Sequence, residues 1–244
     1  MKKLLYTLLL VSLIFTTCKK DEEVTANTDD GSCIAVVNGC TDPLYSEYDP
    51  LANTDDGTCA ILFVLGCTNS NAPNYNALAE LDDGTCIGIG DNYQGGIIFY
   101  IFQLGDAGYV AGQVHGLISA PSDQSTGAQF GCFGTYIYGA GGKAIGTGNQ
   151  NTIDIEAGCT TSGIAADICA NYYDGTYDDW FLPSKDELME MYLNKSAIGG
   201  FANSSYWSSS ESLNHYAWRQ GFVSGNQITS NKNNNLNVRA VRAF

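Results

Sequence analysis

Nine cysteines are the side chains with the most chemistry open to them in this 244-residue sequence. Four fall in two 21-residue units, Gly39–Cys59 and Gly66–Cys86, which share residues at 11 positions. The shared set includes Tyr48/Tyr75, Leu51-Ala52/Leu78-Ala79 and the closing Asp-Asp-Gly-Thr-Cys, and the tail of an earlier copy is legible at Ala26–Cys33. A unit this short cannot bury a core of its own, so it needs a covalent closure. The simplest pairing is Cys40–Cys59 with Cys67–Cys86. The rival joins each tail to the next head, Cys33–Cys40 and Cys59–Cys67, and spacing leaves both open. Closing about 20 residues contributes on the order of 3 kcal/mol in the loop-entropy picture. Cys132, Cys159 and Cys169 offer one further bridge. Cys159–Cys169 is plausible from its short separation, Cys132–Cys159 is almost as good, and the remaining thiol is left to meet Cys33.

Carboxylates and histidines are the other side chains with chemistry open to them. Asp55-Asp56 and Asp82-Asp83, each before a glycine, supply the oxygen ligands a calcium ion takes, but without the alternating Asp-x-Asp-x-Asp of a dedicated loop. Asp-Gly turn chemistry accounts for them equally well, so no cofactor is assigned. Ser208–Ser210 and His215 lack the Gly-x-Ser-x-Gly elbow of a hydrolase. Asp178 and Asp179 are adjacent, and neighbours in an extended chain point to opposite faces, which disfavours a glycosidase pair. The two histidines, His115 and His215, are far apart in sequence, and no cysteine follows Cys169. The expectation is therefore a chain that is not an enzyme.

Composition narrows the classes further. There are 26 acidic against 11 basic residues and a net charge of −15, which disfavours nucleic acid as a partner. Only 15% of residues are charged and 44% are hydrophobic, so neither charge-driven disorder nor a coiled coil is expected. The cysteine content points to an oxidising compartment.

Met1-Lys2-Lys3 and the apolar run Leu4–Phe15 read as a signal peptide, too short to span a bilayer. Thr16-Thr17-Cys18 resembles a bacterial lipoprotein cleavage site, which implies that the Cys18 thiol carries lipid and anchors the chain to the outer membrane. Lys19-Lys20-Asp21-Glu22-Glu23 is similar to the export signal of Bacteroidetes surface lipoproteins. The repeats resemble short Gly-Cys-Thr-Asp-Pro…Asp-Asp-Gly-Ser-Cys units of surface proteins in the same bacteria. Residues 19–86 hold 2 basic and 13 acidic groups, a charge that keeps a stalk hydrated and extended. The expected organisation is a signal peptide over 1–17, an acidic tether and partial repeat over 18–38, the two-repeat stalk over 39–90, and a C-terminal domain over 91–244.

In that last region Gly95–Phe102 and His115–Ala120 read as strands, and Gly163–Ala170 as a short helix with Ile164 and Ile168 on one face. Ser184-Lys185-Asp186-Glu187 is a capping box opening a helix with Leu188, Met191 and Tyr192 on its apolar stripe and Lys195 in its last turn. Trp207 and Trp218 bracket a hairpin, and Val238–Phe244 reads as a closing strand. The predicted fold class is α+β, with small antiparallel sheets and one or two helices.

Asp179-Trp180-Phe181-Leu182-Pro183-Ser184-Lys185-Asp186-Glu187-Leu188, Tyr206-Trp207-Ser208-Ser209-Ser210-Glu211 and Val238-Arg239-Ala240-Val241-Arg242 resemble the C-terminal domain of the Legionella collagen-like adhesin and the related Fibrobacter major paralogous domain. The resemblance covers about Gly95 to Phe244. It implies a C-type lectin-like fold, also used by formylglycine-generating enzymes, and a structural motif of Trp180, Pro183, Ser184, Glu187, Trp207, Glu211, Trp218, Arg239 and Arg242. One of the two arginines is expected to pair with Glu187 or Glu211. The namesake adhesin binds sulfated glycosaminoglycans, but residues 87–244 carry 7 basic and 13 acidic groups, which favours a neutral glycan or a matrix protein. The Glu-Pro-Asn, Gln-Pro-Asp and Trp-Asn-Asp tripeptides of calcium-dependent lectins do not occur. Tyr177, His215, Tyr216, Lys232 and Asn234, outside the apolar runs, are the expected ligand contacts. The alternatives are a structural surface protein without a small ligand, or an enzyme of the formylglycine-generating type.

Overall fold

The computed structural model describes residues 36–244; the signal peptide, Cys18, Lys19–Glu23 and Cys33 lie outside the described residues. The described chain divides into two compact units, one holding residues 36–68 and 78–83, the other 69–77 and 84–244. The division passes through the second repeat. Among the described residues no helix is long and apolar enough to cross a membrane.

In the first unit, β1 (Asn38–Gly39) pairs in parallel with β2 (Thr54–Asp55), and β3 (Leu65–Gly66) with β4 (Leu81–Asp82). The two registers, Asn38↔Thr54 and Leu65↔Leu81, occupy equivalent repeat positions, so equivalent sequence gives equivalent pairing. Val37 and Val64 carbonyls accept from Asn53 and Glu80 N–H at 2.9 and 2.8 Å, again in equivalent positions. Cys40 is bonded to Cys59, with Cα atoms 5.0 Å apart, and Cys67 and Cys86 are both disulfide-bonded. Cys59 therefore does not join Cys67. Asp55 and Asp56 each accept a backbone N–H two residues ahead, from Gly57 and Thr58, which is the turn role of these carboxylates.

The second unit follows chain order as β5 (Asn92–Tyr93), β6 (Gly96–Ile101), β7 (Gly116–Ser119), β8 (Ser125–Ala128), α1 (Gly148–Gly158), α2 (Ala165–Ala170), α3 (Lys185–Leu193), α4 (Lys195–Ile198), β9 (Ser205–Leu213), β10 (Tyr216–Gly221), β11 (Gln227–Asn231), β12 (Leu236–Val238) and β13 (Val241–Ala243). A four-stranded sheet runs β13-β7-β6-β5 and a five-stranded sheet β11-β10-β9-β12-β8. All pairs are antiparallel except β12 with β9. The mixed α+β class agrees with the sequence reading, while four helices replace the one or two expected. Helix α1 escaped prediction because its inward face is largely polar, with Ile155 its one large buried apolar side chain: Asn151 bridges Gly142 and Ser209, and the Thr152 hydroxyl meets Gly148 and Leu182.

The C-terminal run is not one strand. It leaves β12 in one sheet and enters β13 in the other, and the crossover is held by Arg239, 1% exposed. Its Nε donates to Asp123 at 2.7 Å, and its Nη atoms donate to the Ala120 and Gly200 carbonyls. Tyr206 donates its hydroxyl to the same Asp123 at 2.7 Å; burial and this partner push the phenol up to about 12. Arg242 forks onto Asp179 through Nε and Nη2 at 2.6 and 2.8 Å, holding that carboxyl below the usual range. Both arginines thus pair with aspartates, not with Glu187 or Glu211 as expected.

Those two glutamates have other work. Ser184 caps α3 in a full capping box with Glu187. Glu187 also accepts from Gly146 and Gly148 N–H, at 2.8 and 3.2 Å. Gly148 has to be glycine here, since a Cβ would stand 2.8 Å from Ser184 N and 2.9 Å from Phe181, besides striking the Glu187 carboxyl. Pro183 is buried and its carbonyl accepts from Ser209 at 2.8 Å. Trp207, fully buried, donates from Nε1 to Ala128 and meets Phe130 edge-on. Lys195 opens α4 and does not close α3, where it bonds the Phe222 carbonyl.

Candidate functional site

The segment 131–139 joins β8 to the region of α1 and carries Phe133, Tyr136 and Tyr138. These rings are 48%, 48% and 86% exposed, while Ile137 between them is buried. Apolar area left in water is a cost that a folded chain ordinarily avoids in clusters, so such a display is informative.

The segment is tied down at four points. Cys132 is bonded to Cys159 at the end of α1, with Cα atoms 5.7 Å apart. The bridge is Cys132–Cys159 and not the shorter Cys159–Cys169 span; Cys169 is free and buried, and burial pushes its thiol well above the ordinary range. Gly131 has φ +101°, and a Cβ there would meet Ile164 at 2.6 Å, so close packing at the start of the loop requires glycine. Cys132 itself holds φ +45°, a region that L side chains seldom occupy and that neighbouring structure must enforce. Gly134 N–H donates to Asn214 O at 2.9 Å, tying the loop to the β9–β10 turn.

The fourth tie is a buried ion pair. Lys232 and Glu211 side chains are both 0% exposed and in direct contact. Lys232 Nζ donates to Thr135 O at 2.8 Å, and Ile137 N–H donates to Glu211 Oε2 at 2.9 Å. Each charge therefore spends a second hydrogen bond on the backbone of the loop. A buried pair satisfied in this way fixes geometry more than it adds net stability.

Three of the five expected contacts, His215, Tyr216 and Lys232, lie at or beside this loop. Phe133 meets His215 edge-on at 4.6 Å, and His215 lies 6.5 Å from Tyr216. Tyr216 is 41% exposed and sits opposite Asn231 in the β10–β11 register. Lys232 N–H donates to His215 O, and Asn234 is exposed with its amide on Ser230. Lys232, however, is no surface contact: although it lies outside the apolar runs, its pair with Glu211 buries it. Tyr177 is elsewhere, with Arg242 stacked 3.9 Å from its ring centroid. Trp218 is flanked by Lys143 and Lys185, 5.3 and 5.2 Å from its ring.

Sequence reasoning missed Phe133, Tyr136 and Tyr138. The signal was there in Phe133-Gly134-Thr135-Tyr136-Ile137-Tyr138-Gly139, where rings alternate around a single aliphatic residue between glycines. Tyr136 and Tyr138 stand edge-on at 5.2 Å. The arrangement offers ring faces and hydroxyls on a backbone that cannot relax far, which suits recognition of a flat, hydroxylated or peptide surface. Neither a protein-family model nor a curated protein matches this chain, so the functional reading rests on this geometry.

Proposed function

We propose that the chain is a lipid-anchored protein of the outer membrane surface whose C-terminal unit is a recognition module, not a catalyst. The observation that carries the proposal is the display of Phe133, Tyr136, Tyr138, His215 and Tyr216 on and beside a loop fixed by a disulfide and a buried ion pair. Ring faces stack on the CH faces of sugars, tyrosine hydroxyls bond their edges, and prior fixation lowers the entropic cost of binding. The acidic charge of residues 87–244 favours a neutral glycan or a matrix protein over a sulfated chain. The C-type lectin-like fold belongs to the proposal as well, supported by the resemblance of 179–188, 206–211 and 238–242 to the adhesin domain. Disulfides in both units support export to an oxidising space.

Two experiments test this reading. The full chain is applied to a glycan and matrix-protein array, where saturable binding to a neutral glycan or a protein is expected and an empty array refutes recognition. Labelled palmitate fed to cells should enter the protein and be lost in Cys18→Ala; equal labelling of the variant refutes the anchor.

A further inference from the structure

A second site lies at the end of β10 away from Tyr216. There the start of β9, the end of β10 and the start of β11 surround a cavity of about 250 Å³, lined by Ser204, Ser205, Arg219, Ser224 and Asn226 among others. No acidic side chain lines it, and Arg219 is its one basic residue.

The first observation is an arginine without a counter-charge. The sequence holds three arginines. Arg239 pairs with Asp123 and Arg242 with Asp179, but Arg219 is in no ion pair among the described residues. This is so although acids outnumber bases 13 to 7 over residues 87–244. Arg219 is half-buried. Its Nη1 donates to the Ser205 hydroxyl, and its Nε–H is covered and has no acceptor. That Nε–H is out of a ligand's reach; it shows that the guanidinium is held partly desolvated with nothing to offset the cost. Nη2 also has no protein acceptor, but it is not covered, so it is open to an anion in the cavity.

The second observation is space. Gly221 lies in the cavity wall, and a Cβ there would stand 3.0 Å from Ser224 Oγ and 4.0 Å from Ser205 Oγ. Its backbone is not in the left-handed region that favours glycine, so what the missing side chain provides is room between the two hydroxyls.

One guanidinium balances one negative charge, and its two Nη groups match the two oxygens of a carboxylate. A doubly charged phosphate or a run of sulfates would bring charge that this acidic unit leaves unmatched. The serine hydroxyls and asparagine amides suit the hydroxyls of a ligand, and the volume, just under that of ordinary small-molecule sites, suits a single ring. We propose that this cavity binds one carboxylate carried on a hydroxylated ring, as in a hexuronic acid, with the carboxylate on the Nη edge of Arg219 and the ring hydroxyls among Ser204, Ser224 and Asn226. The site is independent of the aromatic loop and of the reading built on that loop.

The test follows the backbone ¹⁵N–¹H resonances of Gly221, Gly225 and Asn226 in the full chain during titration with D-glucuronate at fixed ionic strength. Saturable shifts are expected. D-glucose, which lacks the carboxylate, should bind on the order of tenfold more weakly or worse. Arg219→Gln removes the charge, and Gly221→Ala puts a methyl into the cavity at the expense of the exposed Ser224 side chain; each should weaken glucuronate binding by on the order of tenfold while the protein stays folded. The second variant decides the matter if the first fails to fold. Acetate saturating the same shifts as tightly as glucuronate supports the carboxylate and removes the need for a ring. No saturable shift, the same shifts from sodium chloride, equal binding of glucose, or unchanged affinity in the folded variants overturns the assignment.

Discussion

Replacing Lys232 with methionine tests the physical logic of the aromatic loop most severely. The substitution keeps most of the side-chain volume and removes one charge from a pair with no exposure on either side. Glu211 is then left buried, without its cation. The Thr135 carbonyl loses its 2.8 Å donor in the same step. Breaking a buried pair from one side costs about 3–5 kcal/mol, because the remaining charge is uncompensated. For a unit of this size, that lowers the melting temperature by roughly 6–20 °C. The double variant Lys232→Met/Glu211→Gln should recover a large part of the loss, since a neutral amide can still accept from Ile137 N–H, which the carboxylate now accepts at 2.9 Å. Denaturant melts of wild type, both single variants and the double variant give the coupling directly. A single-variant cost under about 1 kcal/mol, or a double-variant cost equal to the sum of the singles, would refute the claim that this pair is what fixes the loop.

Three further outcomes are expected. Burial outweighs three backbone N–H donors and raises the Glu187 carboxyl to about 7 from an ordinary 4.5, so across that window the folded state keeps a proton the unfolded chain has released. Stability should then fall as pH rises through the window, by on the order of 3 kcal/mol, and Glu187→Gln should flatten the slope in melts taken at several pH values. Gly148→Ala should destabilise by about 1–3 kcal/mol despite alanine's better helix propensity, because its Cβ meets Ser184, Phe181 and Glu187; a neutral or stabilising result in the same melts contradicts the close approach. Cys132→Ser/Cys159→Ser opens a span of 27 residues and should cost about 3–4 kcal/mol, with amide exchange rising first over residues 131–139; unchanged exchange there would count against the staple.

Much of the C-terminal scaffold is legible in the sequence where side chains state their partner locally. The Ser184/Glu187 capping box, the α2 segment, strands β6 and β7 and the Trp207–Trp218 hairpin all follow from spacing over a few residues. Helix α1 does not, because Asn151 and Thr152 take the place of an apolar stripe and their acceptors lie tens of residues away. Nor does the crossover at Arg239, whose carboxylate partner Asp123 sits more than a hundred residues earlier. The site was half legible. Tyr216 and Asn234 are exposed and His215 is half-buried, but Lys232, which the sequence puts outside the apolar runs, is buried by its ion pair with Glu211. Phe133, Tyr136 and Tyr138 go unread in the sequence, because the disulfide and the buried pair that hold their loop join it to residues tens of positions away.

On the proposed reading, the rings on loop 131–139 contact a ligand. The direct measurement compares the binding of wild type and Tyr136→Ala/Tyr138→Ala to whatever glycan or matrix protein the array identifies, with melting temperatures recorded alongside. Because both rings are largely exposed, the variant should melt within a few degrees of wild type while its affinity falls by about tenfold or more. Full affinity in a variant of unchanged stability would contradict the claim and leave the aromatic face without its proposed role.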